Sequence, residues 1–563
     1  MRTLVVAAAL AALSLNAAAQ DTASFTRADT LRGSNGPGRA WWDASFYDLH
    51  IRVSPRDSSI SGWNGITYTV LAPAREMQID LSDRFTVDSI VQDGARLTSR
   101  RDGNALFVSL TAPQNAGDRR TITVWYRGKP IVAEHAPWDG GFVWAADSVG
   151  NPWIVTAVEG IGASTFWPMK DIWSDEPDSQ RVAVTVPDAI TDVSNGRLRR
   201  TVPNGDGTTT YEWFVSSPIN GYDIAVNAGK YTHIADTYAG RSGTLTLDFY
   251  PLAIHADTAR KQFAQAKTML ACFEDWFGPY PWYEDGYKLV ETPHLGMEHQ
   301  SAVAYGNHFK NGYLGHDLSH TGLGMTWDYI IVHESGHEWF GNNITAKDPA
   351  DMWVHEGFTS YSEGVFVECQ AGKAAGARYL RGLRANIENK SPVVGHFGVN
   401  NEGSGDMYYK GANMIHTIRQ LVNDDAKWKE ILRGLNSTFR RQTVTGEQVG
   451  QYISAQAGID LSKVFAQYLT TTQIPTLQYN LAKGTLSYRW ANAVDGFDMP
   501  VRVAIGGTDD WRVLKPTTSW QTMRLRLPSN TQISADPDYY VRVESVAAPA
   551  ARADAKAVTK DGR

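Results

Sequence analysis

Two histidines four residues apart, His333 and His337, form an H-E-x-x-H motif that points to metal chemistry. Residues at this spacing on a helix differ by about 40° around its axis, so both imidazole rings reach one face. Glu356, in a second helical segment further along the chain, is the predicted third ligand. Two histidines and one carboxylate leave the fourth position of a zinc ion open for water, which is typical of catalytic sites. Glu334 lies on the flank of the same face, close enough to take a proton without being a ligand.

The sequence around the motif favours a helix that carries it. Residues 325–332 are rich in apolar side chains and contain neither proline nor glycine, so we expect them to be helical. Gly341 and Asn342 follow the motif as a helix stop.

The composition indicates a large globular protein. A chain of 563 residues, with 42% hydrophobic and 20% charged residues, is long enough for three or four domains. The formal net charge is −7 and there is no basic run, so we expect no nucleic-acid partner.

The N-terminus predicts export. Arg2 precedes an apolar stretch over residues 4–15, and small residues at 17–19 provide a cleavage site. We therefore assign residues 1–19 to a signal peptide and expect a periplasmic or secreted protein. The apolar stretch is too short to cross a bilayer, and no later segment has that length, so we expect no membrane span.

The chain changes character along its length, which predicts an α+β multidomain fold. Short alternating segments, such as 46–53 and 121–126, predict an antiparallel β-domain, and helical periodicity follows after about residue 250. The predicted regions are a flexible lead-in (20–40), an N-terminal β-domain (41–230), a mostly helical catalytic domain (231–475), a small β-sandwich domain (476–546) and a disordered tail (547–563). Within the helical region, the clearest patterns span 257–277, 411–422, 427–435 and 446–457.

The chain has two cysteines, Cys272 and Cys369, and neither has the spacing of a zinc ligand. Two buried free thiols on helices are the favoured interpretation. A disulfide, which an oxidising compartment would permit, stays open as the alternative.

The metal motif and its surroundings resemble a known family. Residues 333–342 are similar to HExxHQWFGN, and the spacing of eighteen residues before Glu356 and the Glu-Gly-Phe at 356–358 match as well. These features resemble the aminopeptidase N family of gluzincin metallopeptidases, which includes leukotriene hydrolase, and the match is spread over nearly the whole mature chain. The resemblance implies a thermolysin-like catalytic domain, one zinc ion per chain, and a zinc-dependent aminopeptidase acting on peptides with a free N-terminus.

A second motif resembles the family's exopeptidase motif, Gly-x-Met-Glu-Asn. Gly296, Met297 and Glu298 match it, whereas Leu295 and His299 depart from it. The resemblance implies that this segment binds substrate and that Glu298 binds the free α-amine, since a buried ammonium needs a paired anion. The departure at His299 suggests a hypothesis: its imidazole would charge near pH 6.5, compete for Glu298 and weaken amine binding on acidification.

Two further residues are assigned through the same resemblance, and a third through its helical spacing from Glu356. Tyr408 begins a sequence similar to the family's Tyr-x-Lys-Gly, which makes it the expected hydrogen-bond donor to the oxyanion, with Tyr409 as a non-catalytic neighbour. Glu159, nine residues before Pro168, corresponds to a second anchor for the α-amine, although an ordinary loop carboxylate stays open. Glu363 is a candidate partner for a zinc-bound histidine, with a solvated helix face as the alternative.

Other functions remain open at this point. A thermolysin-type zinc endopeptidase would make Glu298 incidental, and a non-catalytic peptide-binding relative or an additional epoxide hydrolase activity is also conceivable. Many family members carry a C-terminal helical domain that caps the cleft. This chain resembles a short form without it, so we expect a more open cleft. The sequence predicts neither the preferred N-terminal side chain nor the oligomeric state.

Overall fold

The computed structural model describes residues 24–507, 511–525 and 527–547. The predicted signal peptide and residues 548–563 of the predicted tail lie outside the described residues. In the part of the chain that is described, no helix is long and apolar enough to span a membrane.

The segment from Trp42 to Gly229 consists of β-strands, as its alternating sequence predicts. The strands are β1 (Trp42–Ser54), β2 (Ser59–Val70), β3 (Ala74–Asp80), β4 (Phe85–Gln92), β5 (Ala95–Arg96), β6 (Thr98–Asp102), β7 (Ala105–Gln114), β8 (Arg119–Gly128), β9 (Gly141–Ala146), β10 (Pro152–Ala157), β11 (Ser179–Pro187), β12 (Thr191–Val193), β13 (Arg197–Pro203), β14 (Thr208–Val215) and β15 (Asn227–Gly229). They form three sheets in the orders β13-β14-β11-β1-β2-β8-β4-β5, β12-β15-β10-β9 and β3-β7-β6. The pairing of these strands is antiparallel except between β1 and β11, which run parallel.

The predicted flexible lead-in is wrong for residues 24–40. Helix α1 (Arg27–Gly33) begins with a capping box, in which the Thr26 hydroxyl accepts the Asp29 N–H and the Asp29 carboxylate accepts the Thr26 N–H. Arg39 is fully buried and pairs with Asp80 at 2.6 Å. The polar residues that suggested mobility thus supply a helix cap and a buried ion pair.

Mostly helical structure follows, as predicted. Its strands are β16 (Ile234–Gly240), β17 (Gly243–Tyr250), β18 (Tyr287–Glu291), β19 (Gly296–Met297), β20 (Val303–Tyr305), β21 (Ile344–Ala346) and β22 (Gln442–Val444). Its helices are α2 (Ala256–Gln262), α3 (Gln265–Phe277), α4 (Tyr329–Gly336), α5 (Trp353–Ala371), α6 (Lys373–Gly382), α7 (Asp406–Val422), α8 (Asp425–Thr438), α9 (Gly446–Ala457) and α10 (Ser462–Thr470). A five-stranded sheet runs in the order β16-β17-β18-β20-β19, so β19 is one of its two edge strands.

Two predicted helices differ in extent from the structure. The predicted helix over 257–277 is divided into α2 and α3. The motif helix, expected over 325–332, begins only at Tyr329, because Asp328 is its N-cap and accepts the Ile330 N–H at 3.1 Å. Asp328 also accepts the Tyr305 hydroxyl at 2.7 Å, which ties the start of α4 to the sheet.

Cys272 on α3 and Cys369 on α5 form a disulfide, with Cα atoms 6.1 Å apart. The favoured interpretation of two free thiols is therefore wrong. The bond links α3 to the helix that carries Glu356. The two cysteines are 97 residues apart in the sequence. That separation does not indicate whether they pair, because pairing depends on how the two helices pack.

Helices α5 and α7 cross closely through two glycines. A Cβ at Gly411 would lie 2.9 Å from the Gly357 Cα, which is tighter than ordinary packing allows. Gly357 directly follows Glu356, and Gly411 lies three residues after Tyr408. The close crossing therefore brings these two side chains to the same place.

The C-terminal region forms two small sheets, in line with the predicted β-sandwich. Its strands are β23 (Thr476–Ala482), β24 (Thr485–Ala491), β25 (Val501–Ile505), β26 (Trp511–Leu514), β27 (Gln521–Arg524), β28 (Ile533–Ala535) and β29 (Arg542–Ser545). The sheet orders are β27-β24-β23-β29 and β26-β25-β28. Buried side chains of both sheets, such as Leu477 and Val503, belong to one hydrophobic core.

Candidate active site

Three side chains converge with the geometry of a metal centre. His333 lies in the last turn of α4, His337 at its C-cap and Glu356 in the first turn of α5. The Nε2 atoms of both histidines lie 3.4 Å from Glu356 Oε2, which is buried and accepts no hydrogen bond. Ligand atoms at about 2.0–2.1 Å from a tetrahedral zinc ion are about 3.4 Å apart. The three residues therefore fit a zinc ion.

The other ring nitrogens of the two histidines are fixed by acceptors. His333 Nδ1 donates to Glu363 Oε1 at 2.7 Å, and Glu363 Oε2 accepts the Tyr379 hydroxyl at 2.7 Å. His337 Nδ1 donates to the Phe340 carbonyl at 3.0 Å. Because each Nδ1 carries its proton, each Nε2 keeps a lone pair for a metal.

We expect Glu363→Ala to bind zinc about 10- to 100-fold more weakly, because the orienting partner of His333 is lost. Competition with a chromophoric chelator measures the affinity. Glu430→Ala, an exposed carboxylate on α8, is the matched control and should bind zinc as the parent does. An unchanged affinity in a folded Glu363→Ala protein would contradict the role.

Glu334 projects from α4 beside the triad and is not part of it. Burial raises its pKa to about 7, although the charges of His333 and His337 oppose the shift. A pKa near neutrality suits a group that accepts a proton and then returns it. A Cβ at Gly296 would lie 2.7 Å from Glu334 Oε1. Glycine at this position is thus what lets β19 approach the carboxylate.

Glu298 and Glu159 meet on one side of the triad. Glu298 follows β19, is 3% exposed and accepts the Tyr222 hydroxyl at 3.2 Å. Glu159 reaches in from the N-terminal β-region, and its Oε1 is buried and accepts no hydrogen bond. Burial, followed by the charge of Glu298, raises the pKa of Glu159. Two carboxylates in this arrangement are suited to a cationic group between them.

The loop that carries Glu159 is held from two sides. The Gly160 carbonyl accepts Arg32 of α1 at 2.9 Å and the Asn400 amide at 3.3 Å. A Cβ at Gly33 would overlap the backbone of Asn400, so α1 packs directly on the 399–400 segment. The helix at the start of the described chain therefore positions a residue of the cavity.

The hypothesis about His299 is wrong. Its ring is fully buried, and burial, followed by the charge of His294, lowers its pKa to about 3. It therefore stays neutral near pH 6.5 and cannot compete as a cation for Glu298. The sequence shows the substitution but not the burial, which decides the titration.

His355, which precedes Glu356, lies close to Glu159 and Glu298. Its Nε2 accepts the Ala346 N–H at 2.8 Å. A ring nitrogen of His355 and carboxylate oxygens of Glu159 and Glu298 lie within 4.8 Å of one another. This histidine is not one of the three side chains of the metal triad.

Tyr408 lies next to the triad, in the first turn of α7. Its hydroxyl donates to Glu356 Oε1 at 2.8 Å, whereas Tyr409 lines the same cavity without a hydrogen bond to the triad. Of the two tyrosines, Tyr408 is therefore the one in direct contact with the triad.

One cavity of about 380 Å³ is lined by the metal triad together with Glu334, Glu298, Glu159, Tyr408 and Tyr409. Gly296, Met297 and Glu298 form one wall, and the edge strand β19 faces the space. The cavity is also lined by four residues that were not predicted from the sequence: Trp138, Tyr313, Tyr329 and Glu402. Tyr329 precedes His333 by one helical turn, a spacing that indicates a shared face. The other three come from loops, for which the sequence carries no such signal.

The chain is similar to known peptidases. A family model described as the peptidase family M1 domain matches residues 262–468. Probable aminopeptidase 1 of Sulfurisphaera tokodaii is 22% identical over 372 residues, which are 62% of this chain and 44% of that protein. Aminopeptidase N of Lactobacillus helveticus is 23% identical over 483 residues, or 78% of this chain and 52% of that protein. The chain thus spans about half the length of the curated relatives it matches.

A solved structure shares the fold. It is an M1 zinc metallopeptidase mutant from Deinococcus radiodurans bound to a Tyr-Ser-Ala substrate. The superposition has a TM-score of 0.65 at 22% sequence identity, and it covers 79% of this chain and 98% of that chain.

Proposed function

Because the chain belongs to peptidase family M1, with aminopeptidase N-like gluzincins among its relatives, we propose that it is a zinc-dependent aminopeptidase that removes the N-terminal residue of peptides. The observation that carries the proposal is the pair Glu159 and Glu298 beside the metal triad. No lysine or arginine is among the described residues that line this cavity. The two carboxylates therefore lack a cation that a peptide N-terminus would supply.

Zinc held by His333, His337 and Glu356 would supply Lewis-acid polarisation of the scissile carbonyl and activation of water. Glu334 takes the proton of the attacking water at its carboxylate and passes it to the leaving nitrogen. The Tyr408 hydroxyl, next to the triad, donates a hydrogen bond to the oxyanion that forms on the carbonyl.

Substrate position is set by the two amine-binding carboxylates. A bound ammonium group between Glu298 and Glu159 places the first peptide bond over the triad, and later bonds lie out of reach. The unpaired edge of β19, which lines the cavity, offers backbone groups to an extended peptide, which would add to the sheet as a further strand. Together these contacts restrict cleavage to the N-terminal residue.

Two alternative functions, a zinc endopeptidase and a non-catalytic peptide-binding protein, explain fewer features of the cavity. A thermolysin-type endopeptidase would leave two adjacent carboxylates without a cation in its cavity, at a cost in electrostatic free energy. A non-catalytic peptide-binding protein would have no use for Glu334 beside an intact triad. We also propose an exported protein, and the disulfide between Cys272 and Cys369 supports an oxidising compartment.

Zinc removal and restoration test the proposal. We expect a chelator to abolish hydrolysis of a mixture of free-amine aminoacyl amides that differ in side chain, and about one equivalent of zinc per chain to restore it. Magnesium is the control, because a hard cation prefers oxygen ligands and should not restore activity. Full activity after chelation, or no hydrolysis by the zinc-loaded protein, would contradict the proposal.

A further inference from the structure

The active-site cavity continues past Glu159 into a second space of about 320 Å³. Trp138, Glu159, Gly160, Met352 and Glu402 line both spaces. We call the second space the side-chain chamber; its lining also includes Ile161 and Trp173. Because Glu159 is one of the proposed amine anchors, the chamber opens next to the Cα of a bound N-terminal residue.

Glu402 is the carboxylate of this region that the proposed reaction does not use. Glu356 belongs to the metal triad, Glu334 moves the proton, and Glu298 and Glu159 bind the α-amine. In the part of the chain that the structure describes, the Glu402 carboxylate makes neither a hydrogen bond nor a salt bridge. Its charge nevertheless reaches the others, since Glu402 is among the groups that raise the pKa of Glu159, after burial, Glu298 and Glu356.

The chamber holds no compensating positive charge. Like the main cavity, it has no lysine or arginine among its described lining residues. An acidic side chain entering the chamber would meet Glu402 and Glu159 as like charges, whereas a cationic one would gain a partner.

Trp138 adds an aromatic surface next to this charge. The indole is 69% exposed although it lines both spaces, so its ring is available to a ligand. A planar guanidinium stacks on such a ring while it donates hydrogen bonds to a carboxylate, and a lysine ammonium makes the weaker cation–π contact.

We propose that Glu402 and Trp138 recognise the side chain of the N-terminal residue and select arginine and lysine. This inference rests on the proposed aminopeptidase function. The inference concerns which N-terminal side chain the enzyme prefers. The metal triad and the amine anchors do not determine that preference.

The test compares kcat/KM for four aminoacyl coumarin amides, those of arginine, lysine, methionine and glutamate. Methionine is the uncharged probe of similar length. We expect the parent to prefer arginine and lysine over methionine, and to hydrolyse the glutamate amide least. Glu402→Gln should lower the arginine-to-methionine ratio about three- to fivefold, because the guanidinium loses its charged partner and Glu402 is an exposed carboxylate.

A charge reversal and a distant control complete the design. Glu402→Lys should raise the glutamate-to-arginine ratio above that of the parent, an inversion that general damage to the fold would not produce. Glu430→Gln, on the exposed face of α8, should leave every ratio unchanged. An arginine-to-methionine ratio that Glu402→Gln does not alter, or a parent without preference for basic residues, would overturn the inference while the aminopeptidase function stands. If the parent hydrolyses none of the four amides, the proposed function fails first and this inference fails with it.

Discussion

Replacing Glu334 by glutamine lowers kcat by about 10³- to 10⁴-fold, because the amide cannot accept the proton of the attacking water or return it to the leaving nitrogen. The substitution keeps the side-chain shape against Gly296, whose Cα closely approaches the carboxylate. Glu334 is outside the triad, so zinc content should stay that of the parent. A loss in kcat with little change in KM is the pattern of an interaction made in the transition state.

Glu338→Gln is the matched control for this experiment. It changes a buried glutamate four residues further along, whose carboxylate accepts the Ser301 N–H at 2.9 Å and the Tyr280 hydroxyl at 3.0 Å. Those contacts hold it away from the cavity, so most of the activity should remain. Steady-state kinetics and metal analysis on both variants give the answer. If the Glu334→Gln enzyme binds zinc and has a kcat near that of the parent, Glu334 is not the general base.

The histidine pair of the metal triad was predictable from the sequence because it is local, and the family spacing added Glu356 from the next helical segment. A spacing of four residues on one helix fixes the relation of His333 to His337, whatever the rest of the fold does. Glu363, two helical turns after Glu356, was identified by the same periodicity and does contact His333. Family resemblance added Glu298 and Tyr408, and both side chains line the same cavity as the triad.

The features that escaped prediction depend on tertiary burial and packing. The disulfide joins helices α3 and α5, and nothing local to Cys272 or Cys369 indicates that they meet. A pKa of about 3 for His299 follows from complete burial, which no residue type reveals. Glu402 and Trp138 come from separate loops that only the tertiary fold brings to the same two cavities. Helix α1 was missed because its polar sequence resembles a linker.

Blocking the N-terminus of a peptide by acetylation lowers kcat/KM by about 10³-fold, because the buried carboxylates Glu298 and Glu159 lose the only cation that the substrate brings to them. The acetyl group is also larger than the ammonium and cannot donate three hydrogen bonds. Glu298→Gln should narrow the difference between free and acetylated peptides, since it weakens binding of the free amine. Glu298→Gln tests the amine anchor separately from the chemical step, because the triad, Glu334 and Tyr408 are unchanged.

The most direct measurement of the central claim uses one peptide in two forms. A pentapeptide and its N-acetylated counterpart are incubated with the zinc-loaded protein, and the products are followed by mass spectrometry over time. An aminopeptidase shortens the free peptide one residue at a time from its N-terminus and leaves the acetylated form intact. Equal cleavage of both forms, or cleavage at an internal bond, would show an endopeptidase and contradict the account.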